Sequence, residues 1–89
     1  MIETKVSLIN KLGLHARASA KFVATTARFQ SKIDVSYKKK TINGKSIMGV
    51  MMLAATQGTE LILHIDGPDE QAMETALLEL IALRFHEIE

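Results

Sequence analysis

The chain has 89 residues, 47% of them apolar, and this predicts one domain over residues 1–89 that buries only about 60–65% of the surface its unfolded form would expose. It contains no cysteine and only three scattered histidines, which excludes disulfides and thiolate chemistry and predicts neither a metal site nor a cofactor. Because no apolar run could cross a membrane and no signal-peptide pattern opens the sequence, we expect a soluble cytoplasmic protein without membrane insertion.

Charge is unevenly distributed along the chain, although the formal net charge is only +1. Ten of the eleven Lys and Arg residues precede Ser46, whereas eight of the ten acidic residues follow it. This division favours a basic surface that attracts acidic partners or phosphate groups. Two solvated faces that merely attract each other are an equally good interpretation of the charge pattern alone.

The first two elements follow from hydrophobic periodicity. Residues 4–8 alternate apolar and polar side chains, which predicts a strand with one buried face. After Gly13, apolar residues recur at helical spacing and predict an amphipathic helix from Ala16 to near Arg28. Its predicted buried stripe is made mostly of alanine: Ala16, Ala20, Val23, Ala24 and Ala27.

A hairpin is predicted next. Residues 33–37 alternate in the same way as the first strand, and a short third strand is expected around residues 41–42. Three consecutive lysines, residues 38–40, occupy the tip between these strands. The dipeptide Asn43-Gly44 then marks a turn.

The last three elements complete an order of β-α-β-β-α-β-α. Ser46 is a good N-cap for a short helix over residues 47–54, and residues 61–65 alternate as a fourth strand. The segment Gly67-Pro68-Asp69-Glu70 predicts the start of a final helix, with proline in its first turn and acids facing the helix dipole. Its predicted buried stripe is Met73, Ala76, Leu77, Leu80 and Ile81. This order suits a four-stranded antiparallel sheet with helices on one face.

His15 stands where the first helix is predicted to begin, at or next to the N-cap. Serine, threonine, aspartate or asparagine is the usual residue there. The unpaired backbone N–H groups and the partial positive charge of a helix N-terminus would receive an anion attached to the imidazole. A neutral ring nitrogen at this position carries a lone pair that can act as a nucleophile. His64 and His86 lack such a setting, and we expect no chemistry from them.

Arg17 is poorly placed in electrostatic terms, because a cation in the first turn opposes the helix dipole. A guanidinium beside His15 could offset that cost by binding phosphate oxygens in bidentate fashion. Phosphoryl transfer asks a protein mainly for positioning and for stabilisation of charge on those oxygens. The pair His15 and Arg17 therefore predicts a phosphohistidine site.

The segment Gly13-Leu14-His15-Ala16-Arg17, followed by small residues, resembles the phosphorylation site of HPr, the histidine-containing phosphocarrier of the bacterial sugar phosphotransferase system. Length, element order, the Asn43-Gly44-Lys45-Ser46 segment and the Ile-Met-Gly-Val-Met run after it extend the resemblance over the whole chain. It implies an α+β fold, an open-faced β-sandwich with three helices on one face of the sheet. Ala18 departs from the family pattern, since many members carry proline there.

The resemblance also implies a mechanism and partners. His15 would accept phosphate on Nδ1 from enzyme I, which is charged by phosphoenolpyruvate, and pass it to an enzyme IIA component, with Arg17 stabilising the phosphate. The protein would be a monomeric phosphocarrier with a phosphohistidine intermediate, and not a freestanding enzyme. The serine that matches Ser46 is phosphorylated in many members by HPr kinase/phosphorylase, which uses ATP, and the same regulation is expected here.

The short helix after Ser46 is apolar nearly all round. Val50, Leu53 and Ala54 are expected to face the core, which leaves an exposed patch suited to docking several partners in turn. We call this set the methionine patch: Ile47, Met48, Met51 and Met52. Ala20, Lys21 and Lys45 are expected to extend the partner-binding surface. Packing of the methionines in a small core is the alternative.

Two other functions remain open from the sequence. A related carrier that serves nitrogen regulation, or regulation alone, would share the same histidine loop. A nucleic-acid-binding domain is suggested by the basic first half and by the lysines at residues 38–40. Few aromatic residues are available for base stacking and the last helix is acidic, so we expect no nucleic-acid partner.

Overall fold

The computed structural model describes residues 1–86, whose elements follow the predicted order. In chain order they are β1 Ile2–Ser7, α1 Ala16–Thr26, β2 Lys32–Tyr37, β3 Lys40–Asn43, α2 Ile47–Met52, β4 Glu60–Asp66 and α3 Glu70–Ala82, followed by a 3₁₀ turn at Arg84–His86. Residues 87–89 of the predicted domain lie outside the described residues. No helix in the described part of the chain is long and apolar enough to span a membrane.

The four strands form one antiparallel sheet in the order β1-β4-β2-β3. In the pairing of β4 with β1, Val6 lies opposite Leu61, and in the pairing with β2, Val35 lies opposite Leu63. The helices cover one face and leave the other open, which confirms the α+β open-faced sandwich.

The core lies between the sheet and the helices. Leu61, Leu63 and Ile65 of β4 are fully buried, whereas His64 between them is partly exposed on the other face. From the helical side, Met73 and Leu77 of α3 are also fully buried. The predicted stripe of α3 is confirmed apart from Ala76, which is only half-buried. Each fully buried Leu or Ile side chain contributes about 1.5–3 kcal/mol of transfer free energy.

The predicted buried stripe of α1 was wrong. Four of its members are exposed and Val23 is half-buried; the exposed ones are Ala16, Ala20, Ala24 and Ala27. The buried face instead contains Ala18 and Phe22, with Ser19 and Thr26 beside them. Burying a phenyl ring removes far more apolar surface from water than burying one alanine methyl group, and only the observed rotation of the helix buries Phe22. The hydroxyls of Ser19 and Thr26 donate to backbone carbonyls and are therefore satisfied inside.

The end of α2 also differs from the prediction. The helix stops at Met52, two residues early, and Ala54 is exposed in the left-handed region with a φ of 51°. Val50 and Leu53 do face the core as expected. Since the chain turns at Ala54, Ala55 takes the buried place that had been assigned to Ala54.

Pro68 lies before α3, outside the first turn in which it was predicted. Asp69 is the N-cap residue, but its carboxylate makes no capping bond within the helix. Oδ2 accepts the backbone N–H of Gln30 at 2.9 Å, and Oδ1 accepts the N–H of Ser31 at 2.9 Å and its hydroxyl at 2.5 Å. Asp69 thus ties the start of α3 to the loop after α1.

Acid should weaken this connection. The hydroxyl of Ser31, followed by the backbone N–H groups, lowers the pKa of Asp69 below its usual value. A carboxyl whose pKa is lower in the folded state stabilises the fold above its unfolded pKa of about 3.9, and that contribution is lost as pH falls through the folded pKa. We expect Asp69→Asn to lower the free energy of unfolding at pH 7, and the difference from the unsubstituted chain to narrow below about pH 4. Urea unfolding of the two proteins at pH 7 and below about pH 4 measures this difference in the free energy of unfolding.

Asp34→Asn is a matched control, because Asp34 is exposed on β2. It should change stability little at either pH. The assigned role of the carboxylate would be contradicted if the Asp69 variant and the unsubstituted chain differed in free energy of unfolding by the same amount at both pH values.

Candidate functional site

The loop between β1 and α1 is pinned to the segment that follows α2. Leu8 donates its N–H to the carbonyl of Thr59 at 3.0 Å, and its own carbonyl accepts the N–H of Gly58 at 2.8 Å. Further along, the N–H of Leu14 donates to the carbonyl of Ala55 at 2.9 Å. These bonds fix the chain on both sides of the turn that leads to His15.

Gly13 allows this close approach. It has a φ of 63°, which favours glycine, and a Cβ at this position would lie 2.3 Å from the carbonyl oxygen of Ala55 and 2.7 Å from the Cα of Thr56. Its carbonyl accepts the side-chain amide of Asn10 at 2.8 Å. Only a residue without a side chain permits this path, and the path delivers His15 to the start of α1.

His15 is the N-cap residue of α1, with extended backbone angles and a half-buried side chain. Its carbonyl accepts the N–H of Ser19 at 2.8 Å, the first hydrogen bond of the helix. Its ring Nδ1 accepts the backbone N–H of Arg17 at 3.3 Å. An acceptor nitrogen carries a lone pair, so the neutral ring holds its proton on Nε2. The nucleophilic lone pair of Nδ1 thus points to the N–H groups of the helix start.

Arg17 lies on the first turn of α1 with an exposed side chain. Its backbone N–H is the group that contacts the His15 ring. The structure therefore brings the two predicted site residues together through the backbone of one and the ring of the other. An anion on Nδ1 would replace the ring nitrogen as acceptor for that N–H.

The other two histidines have different surroundings. The Nδ1 of His64 lies 3.3 Å from the Glu3 carboxylate, and its Nε2 lies 3.2 Å from the hydroxyl of Ser36. Both ring nitrogens of His64 are thus engaged on the open face of the sheet. His86 is exposed in the 3₁₀ turn. No group of three or more His, Asp or Glu within residues 1–86 could hold a metal ion.

Both predicted partner-binding lysines make bonds within the chain. The ammonium of Lys21 donates to the carbonyl of Phe85 at 2.6 Å, and that of Lys45 donates to the carbonyl of Phe29 at 2.7 Å. Both side chains are half-buried, whereas Ala20 is exposed on α1. Such contacts join residues far apart in sequence, and no local pattern could have revealed them.

Ser46 caps α2 as predicted, and its hydroxyl accepts the N–H of Gly49 at 3.1 Å. The residue is half-buried. The preceding turn is held by the hydroxyl of Thr26, which donates to the carbonyl of Gly44 at 2.9 Å. This contact connects α1, which follows His15, with the turn that leads to Ser46.

All four members of the methionine patch are exposed. The exposed fractions are 45% for Ile47, 73% for Met48, 41% for Met51 and 66% for Met52. These values exclude the alternative in which the methionines fill gaps in the core, as Met73 does with no exposure. Leu12, in the loop before His15, is 64% exposed and was missed, because it lies in a short loop outside every periodic pattern.

Fold and site together define a class of protein: a small α+β domain that presents a histidine at a helix N-terminus, as a histidine phosphocarrier does. Residues 2–82 match a family model described as the PTS HPr component phosphorylation site. The chain belongs to the HPr family, the phosphocarriers of the phosphotransferase system.

Individual relatives agree with this membership. The phosphocarrier protein HPr of Xylella fastidiosa is 53% identical over 87 residues, 98% of either chain. A crystal structure of HPr from Thermoanaerobacter tengcongensis has a TM-score of 0.95 at 43% identity, with both chains covered completely. A second structure from that organism, described as an HPr dimer, has a TM-score of 0.78 at 44% identity and covers 98% of this chain and 100% of its own. Monomeric behaviour of the present chain stays a prediction.

Proposed function

We propose that the protein accepts a phosphoryl group from phospho-enzyme I on His15 and passes it to enzyme IIA components in sugar uptake. The observation that carries this proposal is the Nδ1 of His15, whose lone pair faces the N-terminus of α1. That nitrogen attacks the phosphorus of the donor. A bond from nitrogen to phosphorus forms, and the bond to the donor atom of enzyme I breaks and leaves its electron pair there.

The helix start and Arg17 stabilise the product. On phosphorylation the N–H of Arg17, 3.3 Å from Nδ1 before the reaction, gains a phosphate oxygen as acceptor. The exposed guanidinium supplies two parallel donors, and charge-assisted hydrogen bonds of this kind are about twice as strong as neutral ones. The phosphate is thus held while the carrier diffuses from one partner to the next.

The proposed role is that of a carrier and not of a freestanding enzyme. Its reacting group is one imidazole at the protein surface, and transfer in either direction needs a partner that brings the second reacting group. The relatives named as phosphocarrier protein HPr support the sugar branch over a nitrogen-regulatory one. They also favour a carrier over a nucleic-acid-binding domain.

Incubation with enzyme I, phosphoenolpyruvate and magnesium tests this function. We expect a mass increase of one phosphate that is labile in acid and stable in alkali, as a phosphohistidine is. No added phosphate, or an acid-stable one, would refute the proposal.

We propose the methionine patch as the surface that docks enzyme I and enzyme IIA, with Ala20, Lys21 and Lys45 at its border. Two observations support this role: the patch is exposed, and α2 lies against α1, whose first residue follows His15. Methionine side chains adapt to different partner surfaces at low cost. The bonds of Lys21 and Lys45 to backbone carbonyls give these two cations fixed positions.

Met48→Asp should weaken binding of enzyme I about tenfold or more. Met48 is the most exposed member of the patch, and burying a methionine at an interface is worth about 1.5–3 kcal/mol, which a carboxylate forfeits. Calorimetric titration of the variant with enzyme I measures the affinity.

Leu78→Asp introduces the same charge at an apolar residue of α3 that is 39% exposed. It should leave the affinity nearly unchanged. Equal weakening by both substitutions would mean that net charge, and not the methionine patch, governs docking.

We propose Ser46 as a site of regulatory phosphorylation by HPr kinase/phosphorylase with ATP. Its position at the N-cap next to Ile47 and Met48 supports this, because a phosphate there adds close to two negative charges beside the docking surface. The negative phosphate on Ser46 would then repel an acidic surface of enzyme I and oppose its binding.

Treatment with that kinase and ATP should add one phosphate to the chain and none to a Ser46→Ala variant. The phosphorylated protein should accept phosphate from enzyme I at least about tenfold more slowly, because like charges across an interface cost several kcal/mol. Mass spectrometry and the rate of His15 labelling measure the two effects. An unmodified Ser46, or an unaltered rate after modification, would end the regulatory assignment.

A further inference from the structure

A cavity of about 750 Å³ opens between the hairpin of β2 and β3 and the end of α2. Its size is within the range of small-molecule sites. It is lined by Tyr37, Lys38, Lys39, Lys40, Leu53 and Ala54, and we call it the lysine cavity. None of these residues takes part in the chemistry assigned to His15 or Ser46.

The lysine cavity combines an apolar wall with a cationic rim. Leu53 closes the base of the cavity and is only 1% exposed, so the accessible apolar surface comes from half-buried Tyr37 and exposed Ala54. All three lysines, residues 38–40, are exposed, and none forms an ion pair with an acidic side chain of residues 1–86. Three neighbouring like charges without counter-charges favour an anion at this rim.

Local contacts hold two of the ammonium groups near the cavity. The Nζ of Lys38 lies 5.3 Å from the centre of the Tyr37 ring, and the Nζ of Lys40 donates to the carbonyl of Met52 at 3.5 Å. The first contact keeps a cation against the apolar wall.

The backbone is strained on both sides of the cavity. Lys38 has a φ of 56° and Ala54 a φ of 51°, a conformation that is unfavourable for residues other than glycine. Strain of this kind tends to persist where a ligand site needs a particular backbone path. Here it brings the hairpin tip and the end of α2 to the same opening.

We propose that the lysine cavity binds a small amphipathic anion, a flat apolar body that carries phosphate groups, as a nucleotide does. The apolar body lies against Tyr37 and Ala54, and the phosphates meet the lysine ammonium groups. This proposal does not depend on the function proposed for His15.

ATP without magnesium is a suitable probe, with adenosine and tripolyphosphate as its two halves. Titration of the ¹⁵N-labelled full chain should shift the amide signals of residues 37–40 and 53–54, and ATP should bind more tightly than either half. Three exposed lysines support an affinity of about 1 mM, so the titration extends to about 5 mM. No shift of these signals, shifts confined to the methionine patch, or equal binding by ATP and either half would overturn the proposal.

Lys38→Gln/Lys39→Gln should weaken ATP binding about tenfold, as expected for the loss of two exposed ion pairs. Lys5→Gln/Lys32→Gln removes the same charge from exposed strand residues and should leave the affinity unchanged. Equal weakening by both double variants would assign the binding to net charge and overturn the proposed site. Phosphate acceptance from enzyme I should persist in both variants, so the two proposals are tested separately.

Discussion

His15→Ala is expected to abolish phosphate uptake from phosphoenolpyruvate and enzyme I while the protein remains folded. The substitution removes the only nitrogen that faces the start of α1 as an acceptor in the described part of the chain. It also removes an N-cap, which costs about 1 kcal/mol of stability, far less than folding provides. Mass spectrometry after incubation measures the phosphate, and circular dichroism confirms the fold.

Arg17→Ala, the second variant of this site, should slow phosphate uptake without abolishing it. It should still gain one phosphate, because the nucleophile is intact, but about 10- to 100-fold more slowly, since a hydrogen bond to a charged group is worth about 1.5–3 kcal/mol. A fully labelled His15→Ala variant would refute the site, and an unchanged rate for Arg17→Ala would remove the role of the guanidinium.

Gly13→Ala should destabilise the protein by about 2–4 kcal/mol. About 1–2 kcal/mol comes from placing a Cβ on a residue with a φ of 63°, and the rest from the contact with the Ala55 carbonyl, 2.3 Å away. For a chain of this length, each kcal/mol lowers Tm by about 4–8 °C. Phosphate transfer should slow as well, because the displaced loop carries His15.

Gly58→Ala separates the conformational cost of a positive φ from the cost of the steric contact. Gly58 has a φ of 86°, but a Cβ there would meet no atom within 4 Å. Only the conformational cost of about 1–2 kcal/mol should appear, with phosphate transfer nearly unaffected. If thermal unfolding showed the same decrease in Tm for the Gly13 and Gly58 variants, the tight packing of Gly13 on Ala55 would be contradicted.

Much of the fold could be predicted from local patterns. Alternation along residues 61–65 identified both β4 and its buried face, because period two is fixed by strand geometry. The histidine at the N-cap was predictable for a similar reason, since Gly13 and the helical spacing after it locate the start of α1. The exposed methionines followed from a short helix, predicted over residues 47–54, with too many apolar residues to bury.

Features that depend on distant contacts could not be predicted in this way. The rotation of α1 is set by where Phe22 fits against the core, and counting alanines gave the wrong face. The bond of Asp69 to Ser31 joins residues 38 positions apart and moves the start of α3 beyond Pro68. The internal bonds of Lys21 and Lys45 are likewise tertiary.

NMR of the phosphorylated protein with ¹⁵N-labelled histidine tests the central claim most directly, because coupling between ³¹P and ¹⁵N identifies the modified nitrogen. The orientation of the His15 ring predicts a single coupling to Nδ1 of His15, together with a changed signal for the Arg17 amide. Phosphate on Nε2 of His15, or on a ring nitrogen of His64 or His86, would contradict the role assigned to the start of α1.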